Sequence, residues 1–274
     1  SELFFCYTYS KVGGNMKDIN QILFFDLDGT LLNDQHQVDS EIISAIKEMR
    51  TRGILSIIAT GRSVSAISNV LADCEIDSIV AMNGQYVELD GKEIYSDSIS
   101  KDLLEEFIAF LQPLGVECSL YNAYDVWATG VNDDLRYGYE QTHLEVPEVL
   151  PEAYKSRDVH MILAVTPDAN LDDILREKFP QFEFYRNIPF ALDVVLKGIS
   201  KKSGISEILK HSINDSIETF GFGDGPNDIE LMDAVDHGIC MGNGIDATKK
   251  AAEFVTTANT NRGILNALEH YKLI

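Results

Sequence analysis

The sequence predicts an α/β protein: a doubly wound parallel-sheet core interrupted by a second α/β unit. Three observations carry this prediction. Apolar, β-branched runs alternate with segments of helical period along most of the chain. Three of those runs, Gln21 to Phe25, Ile54 to Ala59 and Ile217 to Phe222, lead into loops built from Asp, Thr and Gly. After the third expected strand a hairpin signal opens a stretch with its own cycle of strands and helices.

In chain order, the first fifteen residues fit neither a signal peptide nor a strand or helix pattern, and Met16 reads as the natural start. Gln21 to Phe25 is the first strand and Ile54 to Ala59 the second. Ser78 to Met82 is the third, closed by Asn83-Gly84. Gln85 to Leu89 and Lys92 to Ser96 alternate about Asp90-Gly91, a turn dipeptide that sets a hairpin. Leu103, Leu104, Phe107, Phe110 and Leu111 recur at helical spacing. Strands follow at Val116 to Tyr121, Asp125 to Ala128 and Val159 to Val165, then a helix from Asn170 to Phe179 and a strand at Phe182 to Tyr185. The core is expected to resume near Phe190. Ser200 suits a helix N-cap, which puts Lys201 in a first turn; a cation there opposes the helix dipole and points to a partner anion.

The chemistry concentrates at strand ends. Asp26 and Asp28 stand at i and i+2 after the first strand, a spacing that puts both on one face while Leu27 turns into the core. One carboxylate can attack while its neighbour moves protons. Gly29 frees the backbone to turn and to approach a ligand oxygen. Thr60-Gly61-Arg62 brings a hydroxyl and a flexible backbone, and Gly223-Asp224-Gly225-Pro226-Asn227-Asp228 adds two hard oxygen ligands around a tight turn.

This ordered set resembles the four motifs of the haloacid dehalogenase-like superfamily, in particular its Cof-type phosphatases; Met241-Gly242-Asn243-Gly244 matches the same branch. The resemblance implies a Rossmann-like core at 16–83 and 190–274 and an inserted α/β cap domain at 84–189. It implies a Mg²⁺-dependent phosphatase acting on small phosphorylated metabolites, sugar phosphates or similar, through an aspartyl-phosphate. Asp26 is then the nucleophile and Asp28 the general acid and base, while Thr60 and Lys201 steady the transferred oxygens. Leu27, Gly29, Gly61, Arg62 and Asn227 are substrate-binding positions. Asp26, Asp28, Asp224 and Asp228 form the metal site, with Asp28 contributing its backbone carbonyl. Lys202 stands where the branch usually has Gly, so two adjacent lysines compete for one role. A phosphomutase and a non-enzymatic phosphoacceptor module are the alternative functions; the second acid at Asp28 and the large insertion separate the chain from such modules.

Composition sets the remaining expectations. The formal net charge of −22 argues against nucleic acid as a partner. Four carboxylates facing a phosphate dianion require a divalent cation, because like charges a few ångströms apart repel by about 1 kcal/mol even at the dielectric of water. An all-oxygen set favours Mg²⁺ over Zn²⁺. No apolar run reaches membrane-spanning length, so neither a membrane nor a secretory route is expected, and the location expected is cytoplasmic. Cys6, Cys74, Cys118 and Cys240 are widely spaced and read as reduced thiols. The six histidines are scattered. Trp127, Tyr121, Tyr124, Tyr137 and Tyr139 read as packing, with a pocket lining as the alternative. Asp133-Asp134 and Asp172-Asp173 read as solvated helix starts.

Overall fold

The computed structural model describes residues 19–142, 144–211 and 216–274. Met16 and Cys6, the expected start and one of the four thiols, lie outside them. Strands β1 (Gln21–Phe25), β2 (Ile54–Ala59), β3 (Ile79–Ala81), β4 (Tyr86–Leu89) and β5 (Lys92–Ser96) come first. The middle of the chain holds β6 (Glu117–Tyr121), β7 (Val126–Ala128), β8 (Met161–Val165), β9 (Phe182–Ile188) and β10 (Ala191–Leu196). The last three are β11 (Glu218–Gly223), β12 (His237–Cys240) and β13 (Phe254–Val255).

Eight strands form one sheet, ordered β13-β12-β11-β1-β2-β3-β4-β5, parallel as far as β3 and antiparallel through the β4–β5 hairpin. β1 lies deep inside because both of its faces are covered. Leu23 and Phe25 pack with Ile58, Phe222 and Leu265 on one side, and Ile22 and Phe24 with Ile57, Ile205 and Leu231 on the other. Such two-sided burial is why the parallel strands read as unbroken apolar runs. The strand order reverses between β1 and β11, so the carboxyl ends of these two strands open the crevice where doubly wound sheets bind ligands.

The other five strands form an antiparallel sheet ordered β7-β6-β8-β10-β9. Its outer face carries Leu120, Ile162, Ala164, Leu192, Val194 and Phe184, which pack under Leu104 and Phe107 of the helix Lys101–Leu111 and Leu175 of the helix Asn170–Lys178. The alternate residues face the large sheet. Tyr121, Tyr185 and Val195 join the large sheet's apolar cluster. Ser119, Leu163, Asp193 and Tyr185 are register partners across β6, β8, β10 and β9, which makes a partly polar rung over the crevice.

Both expected edges of the insert move. The hairpin assigned from sequence to 84–189 belongs to the large sheet: β4 pairs with β3 across a short antiparallel turn, and Val87 and Leu89 are buried in the large sheet's apolar cluster. At the other edge, Ala191–Leu196 was expected in the resumed core but pairs with β8 and β9 of the smaller sheet. Its apolar composition suits a buried strand of either sheet, so only pairing distinguishes them. The second sheet is therefore built from residues 117–196. Asp172 also departs from its expected solvated role: it is 9% exposed and grips Arg186 through two hydrogen bonds of 2.6 and 2.8 Å. Cys74, Cys118 and Cys240 are buried free thiols. Among the described residues no helix is long and apolar enough to cross a membrane.

Candidate active site

β1 ends at Phe25, and the backbone N–H of Asp26 still pairs with Phe222 O at 2.9 Å, which fixes Asp26 at the crevice floor. Leu27 to Leu31 then turn tightly, with Gly29 in the left-handed region at φ +76°. Because the chain turns here rather than continuing as a strand, Asp26 and Asp28 part company. Asp26 is 6% exposed and faces inward, whereas the Asp28 side chain is 51% exposed and receives Arg62 Nε and Nη2 at 2.8 and 2.5 Å. The Leu27 side chain is fully buried in the core, so only its backbone is available to a substrate.

Lys201 opens the helix Lys201–Lys210, and Ser200 and Ser203 cap that helix reciprocally. The capped first turn aims the fully buried Lys201 Nζ at Asp26 Oδ1 (2.5 Å) and Asp228 Oδ1 (2.6 Å). The cation at the helix start thus meets two anions. Lys202 faces solvent, 3.6 Å from Asp233, so the site lysine is Lys201.

Asp228 is held on every side. Its Oδ2 accepts the backbone N–H groups of Asp224 and Gly225, both at 2.9 Å, and its Oδ1 accepts Lys201. Asp224 is freer: Oδ1 accepts the Thr30 hydroxyl at 3.1 Å. A Cβ on Gly29 would fall 2.4 Å from Asp224 Oδ2, so the carboxylate rests directly against the glycine backbone. Asn243 Nδ2 donates to Gly29 O at 2.7 Å and closes the turn from the far side.

Asp26, Asp224 and Asp228 offer carboxylate oxygens within 4.8 Å of one another. Their donor set is all oxygen, with no His or Cys, and suits a hard divalent cation such as Mg²⁺. The carboxylate of Asp28 is not in this group; its turn toward Arg62 leaves only its backbone for a metal. The expected four-carboxylate cluster is thus three carboxylates with an ammonium among them. Burial and then Asp228 raise Asp26 well above the usual carboxylate range, with Lys201 opposing them. Burial, together with Asp228, pushes Asp224 up to about 6. Burial pulls the Lys201 ammonium down, but Asp228 and Asp26 outweigh it and hold its pKa above the ordinary lysine value. The three acids strain against sharing this space as anions, and a cation relieves that strain.

Thr60 directly follows β2 with 1% exposure, and its Oγ1 accepts the N–H of Arg62 at 3.1 Å. Asn227, 8% exposed, donates to Asn83 Oδ1 at 2.9 Å. Sequence reasoning passed over Thr30, Asn83, Asp193 and Asn243 as site residues. Asn243 lay inside a quoted motif, and Thr30 directly follows Gly29. Asn83 read only as the close of the third strand, although its φ of +54° lies in the left-handed region. Asp193 had one available signal: it is a lone acid in the apolar strand Ala191–Leu196.

Residues 23–268 match the profile of the haloacid dehalogenase-like hydrolases. The 5-amino-6-(5-phospho-D-ribitylamino)uracil phosphatase YcsE of Bacillus subtilis is 25% identical over 92% of this chain and 96% of its own length. Among solved structures, the HAD subclass IIB sugar phosphatase BT4131 superposes with a TM-score of 0.83 at 30% identity, covering 93% of this chain and all of that one. A Geobacillus kaustophilus protein superposes with a TM-score of 0.84, also at 30% identity, with 93% and 100% covered. Profile, relatives and fold agree with the buried lysine and three acids at the β1–β11 crevice: the chain belongs to the haloacid dehalogenase-like hydrolases.

Proposed function

We propose that this hydrolase is a Mg²⁺-dependent phosphatase of small phosphorylated metabolites, sugar phosphates or similar, and that it works through an aspartyl-phosphate on Asp26. The observation that carries this reading is the placement of Asp26: a carboxylate at the end of the central strand, held by Lys201 at 2.5 Å and grouped with Asp224 and Asp228. The phosphatase relatives support it. Asp26, Asp224, Asp228 and the backbone at Asp28 are the groups suited to hold Mg²⁺, which when bound would offset the charge of the substrate phosphate.

In the first step an Asp26 oxygen forms a bond to phosphorus as the bond to the leaving oxygen breaks, and Asp28 gives that oxygen a proton. In the second, water attacks the same phosphorus, Asp28 takes the water's proton, and Asp26 is regenerated. Lys201 fixes the orientation of Asp26 throughout, while Asp228 fixes Lys201 and the 224–228 turn. The Thr60 hydroxyl, which accepts from Arg62, is left to donate to a phosphoryl oxygen. Arg62 holds the half-exposed Asp28 at the mouth, where a leaving group exits. This is phosphoryl transfer by positioning and charge stabilisation. The second sheet acts as a cap that limits the site to compact leaving groups. Buried free thiols suit a reducing, cytoplasmic setting.

The test combines Asp26→Asn with metal removal. A folded Asp26→Asn protein that forms no phosphoenzyme and turns over no substrate, together with wild-type activity lost in EDTA and recovered with Mg²⁺, supports the reading. Full activity in EDTA, or appreciable turnover by folded Asp26→Asn, refutes it.

A further inference from the structure

The chain passes between the two sheets twice, at 97–100 after β5 and at 197–200 after β10. One side chain of the large sheet holds both passages. Gln85, fully buried between β3 and β4, donates from Nε2 to Asp97 O at 2.6 Å and accepts the Leu196 N–H on Oε1 at 3.0 Å. Its backbone O also accepts the Asp97 N–H at 3.2 Å, so both main-chain groups of Asp97 are taken by one residue. A carbonyl and an N–H ask for opposite partners, and an amide offers a donor and an acceptor side by side. A methionine here would fill the space and leave two backbone groups unpaired.

The residues before Gln85 reach the chemistry. Asn83 Oδ1 accepts from Asn227 on the 224–228 turn, and its Nδ2 donates to Asp193 Oδ2 of β10 at 3.1 Å. A Cβ on Gly61 would lie 3.0 Å from the same Oδ2, which sets that strand against the Thr60-Gly61-Arg62 loop. Gly84, at φ +99°, lies against Ser200 O, where any Cβ would collide. Ser200 is the N-cap of the Lys201 helix. Gln85 and Gly84 therefore grip the second passage at its two ends, Leu196 and Ser200, and Lys201 is the next residue. Three consecutive residues thus bear on the seat of the second sheet and on the ammonium beside Asp26.

We infer that Gln85 is a positioning residue: its amide couples the two passages into one hinge, and so fixes how the second sheet sits over the crevice and how Lys201 is aimed at Asp26. Two passages held at one point of the large sheet can swing only together. Such a swing parts contacts that Gln85 does not make. The Ser65 N–H donates to Ala123 O at 3.2 Å and the Tyr124 hydroxyl to Glu88 at 2.7 Å, and both bonds join the β6–β7 turn to the large-sheet unit. The consequence for turnover rests on the phosphatase reading above; the seating of the second sheet does not.

The test uses Gln85→Met, which keeps the length of the side chain and removes both of its bonds, and Gln85→Asn, whose amide is one carbon too short to keep both. Amide exchange is followed by NMR, without substrate, at Leu196, at Ser65 and at Phe24 of the central strand β1 as internal reference. kcat and KM are measured on p-nitrophenyl phosphate with Mg²⁺. Exchange at Leu196 and Ser65 should quicken by about 10-fold or more relative to Phe24, the scale of one lost buried hydrogen bond. kcat should fall by about 10-fold with KM within about 3-fold of wild type, because Lys201 acts on the nucleophile and not on the hold on substrate. A loss of global stability alone would quicken all three amides together, and that result overturns the inference. So does wild-type exchange at Ser65, or an unchanged kcat, in a folded variant whose Leu196 amide has lost its protection. Gln85→Asn decides the matter if Gln85→Met does not fold. If the wild type cleaves no phosphate ester with Mg²⁺, the phosphatase reading falls, and the exchange rates alone uphold or overturn the hinge.

Discussion

Replacing Lys201 by methionine removes a charge while keeping most of the side chain's volume, and the structure sets the size of the response. The ammonium is fully buried and bonds Asp26 and Asp228 at 2.5 and 2.6 Å. Deleting one partner of a buried ion pair costs about 3–5 kcal/mol, and here two acids lose their common counter-ion, which favours the upper part of that range. The loss carries a pH signature. The Lys201 ammonium is what holds Asp26 down, so in its absence Asp26, already raised by burial and Asp228, rises further. A carboxyl whose folded-state pKa lies above its unfolded value contributes no penalty below the unfolded value and a growing one as pH rises toward the folded value. Lys201→Met should therefore be close to wild type near pH 4 and most deficient above pH 7. Urea denaturation in EDTA at several pH values measures this; with a slope of about 3 kcal/mol/M, the midpoint at neutral pH should fall by about 1 M or more. The solvent-facing Lys202→Met is the control and should stay within about 0.5 kcal/mol of wild type. A deficit equal to that control, or one independent of pH, would refute the electrostatic account. Turnover should also fall by about 10²- to 10³-fold, in line with removal of a preorganised charge.

Three further outcomes follow from the geometry. Gly29→Ala places a methyl 2.4 Å from Asp224 Oδ2 at a φ of +76°, so activity should fall at least about 10²-fold, with a stability loss of about 1–3 kcal/mol in thermal unfolding; wild-type kinetics would show that the turn is not as tight as described. Asp28→Asn should slow turnover by about 10²- to 10⁴-fold and, with an aryl phosphate, release a burst of alcohol while a hydroxylamine-sensitive phosphoenzyme accumulates on Asp26; steady turnover at the wild-type rate would remove Asp28 from proton transfer. His237 lies between Glu253 and Glu218 at 2.8 and 3.1 Å. Burial lowers the His237 pKa, but these partners outweigh it and raise it overall. Its contribution is present in full below pH 6.5 and fades as pH rises through the elevated folded value, so wild type should lose up to about 1 kcal/mol relative to His237→Gln between pH 6 and 9; parallel pH profiles would contradict this.

The sequence revealed the floor of the site better than its roof. Asp26, Asp224, Asp228 and Lys201 were legible because Asp26 and Asp224 directly follow a strand, Asp228 closes the short turn after β11 and Lys201 opens a helix, places where local pattern fixes position. The direction of Asp28 was not. Alternation is a property of extended chain, and the turn begins one residue after Asp26, so the i, i+2 rule no longer applied. Arg62, 34 residues away, then claimed the side chain. Asp193 was invisible for a different reason: its meaning comes from Asn83 and Gly61, brought together only by folding. The same non-locality hid the affiliation of Ala191–Leu196, since an apolar run announces burial and not which sheet will bury it. The hairpin at Tyr86–Ser96 was found as a hairpin yet given to the wrong sheet, because the turn signal specifies the partner within the pair and is silent about the neighbour outside it.

The exit from β10 has a bearing on any attempt to re-engineer the enzyme. The strand ends at Leu196, and only Lys197 to Ser200 separate it from the helix that Lys201 begins. This strap is fastened from both sides. Leu196 N–H donates to Gln85 Oε1 of the large sheet's hairpin at 3.0 Å, and the Tyr185 hydroxyl of β9 donates to Ile199 O at 3.1 Å. The last strand of the second sheet and the helix that carries the ammonium are thus mechanically in series. An insert transplanted from a relative would fit only if its last strand reached Ser200 with the same length and direction; a mismatch of one residue would first disturb the charge beside Asp26.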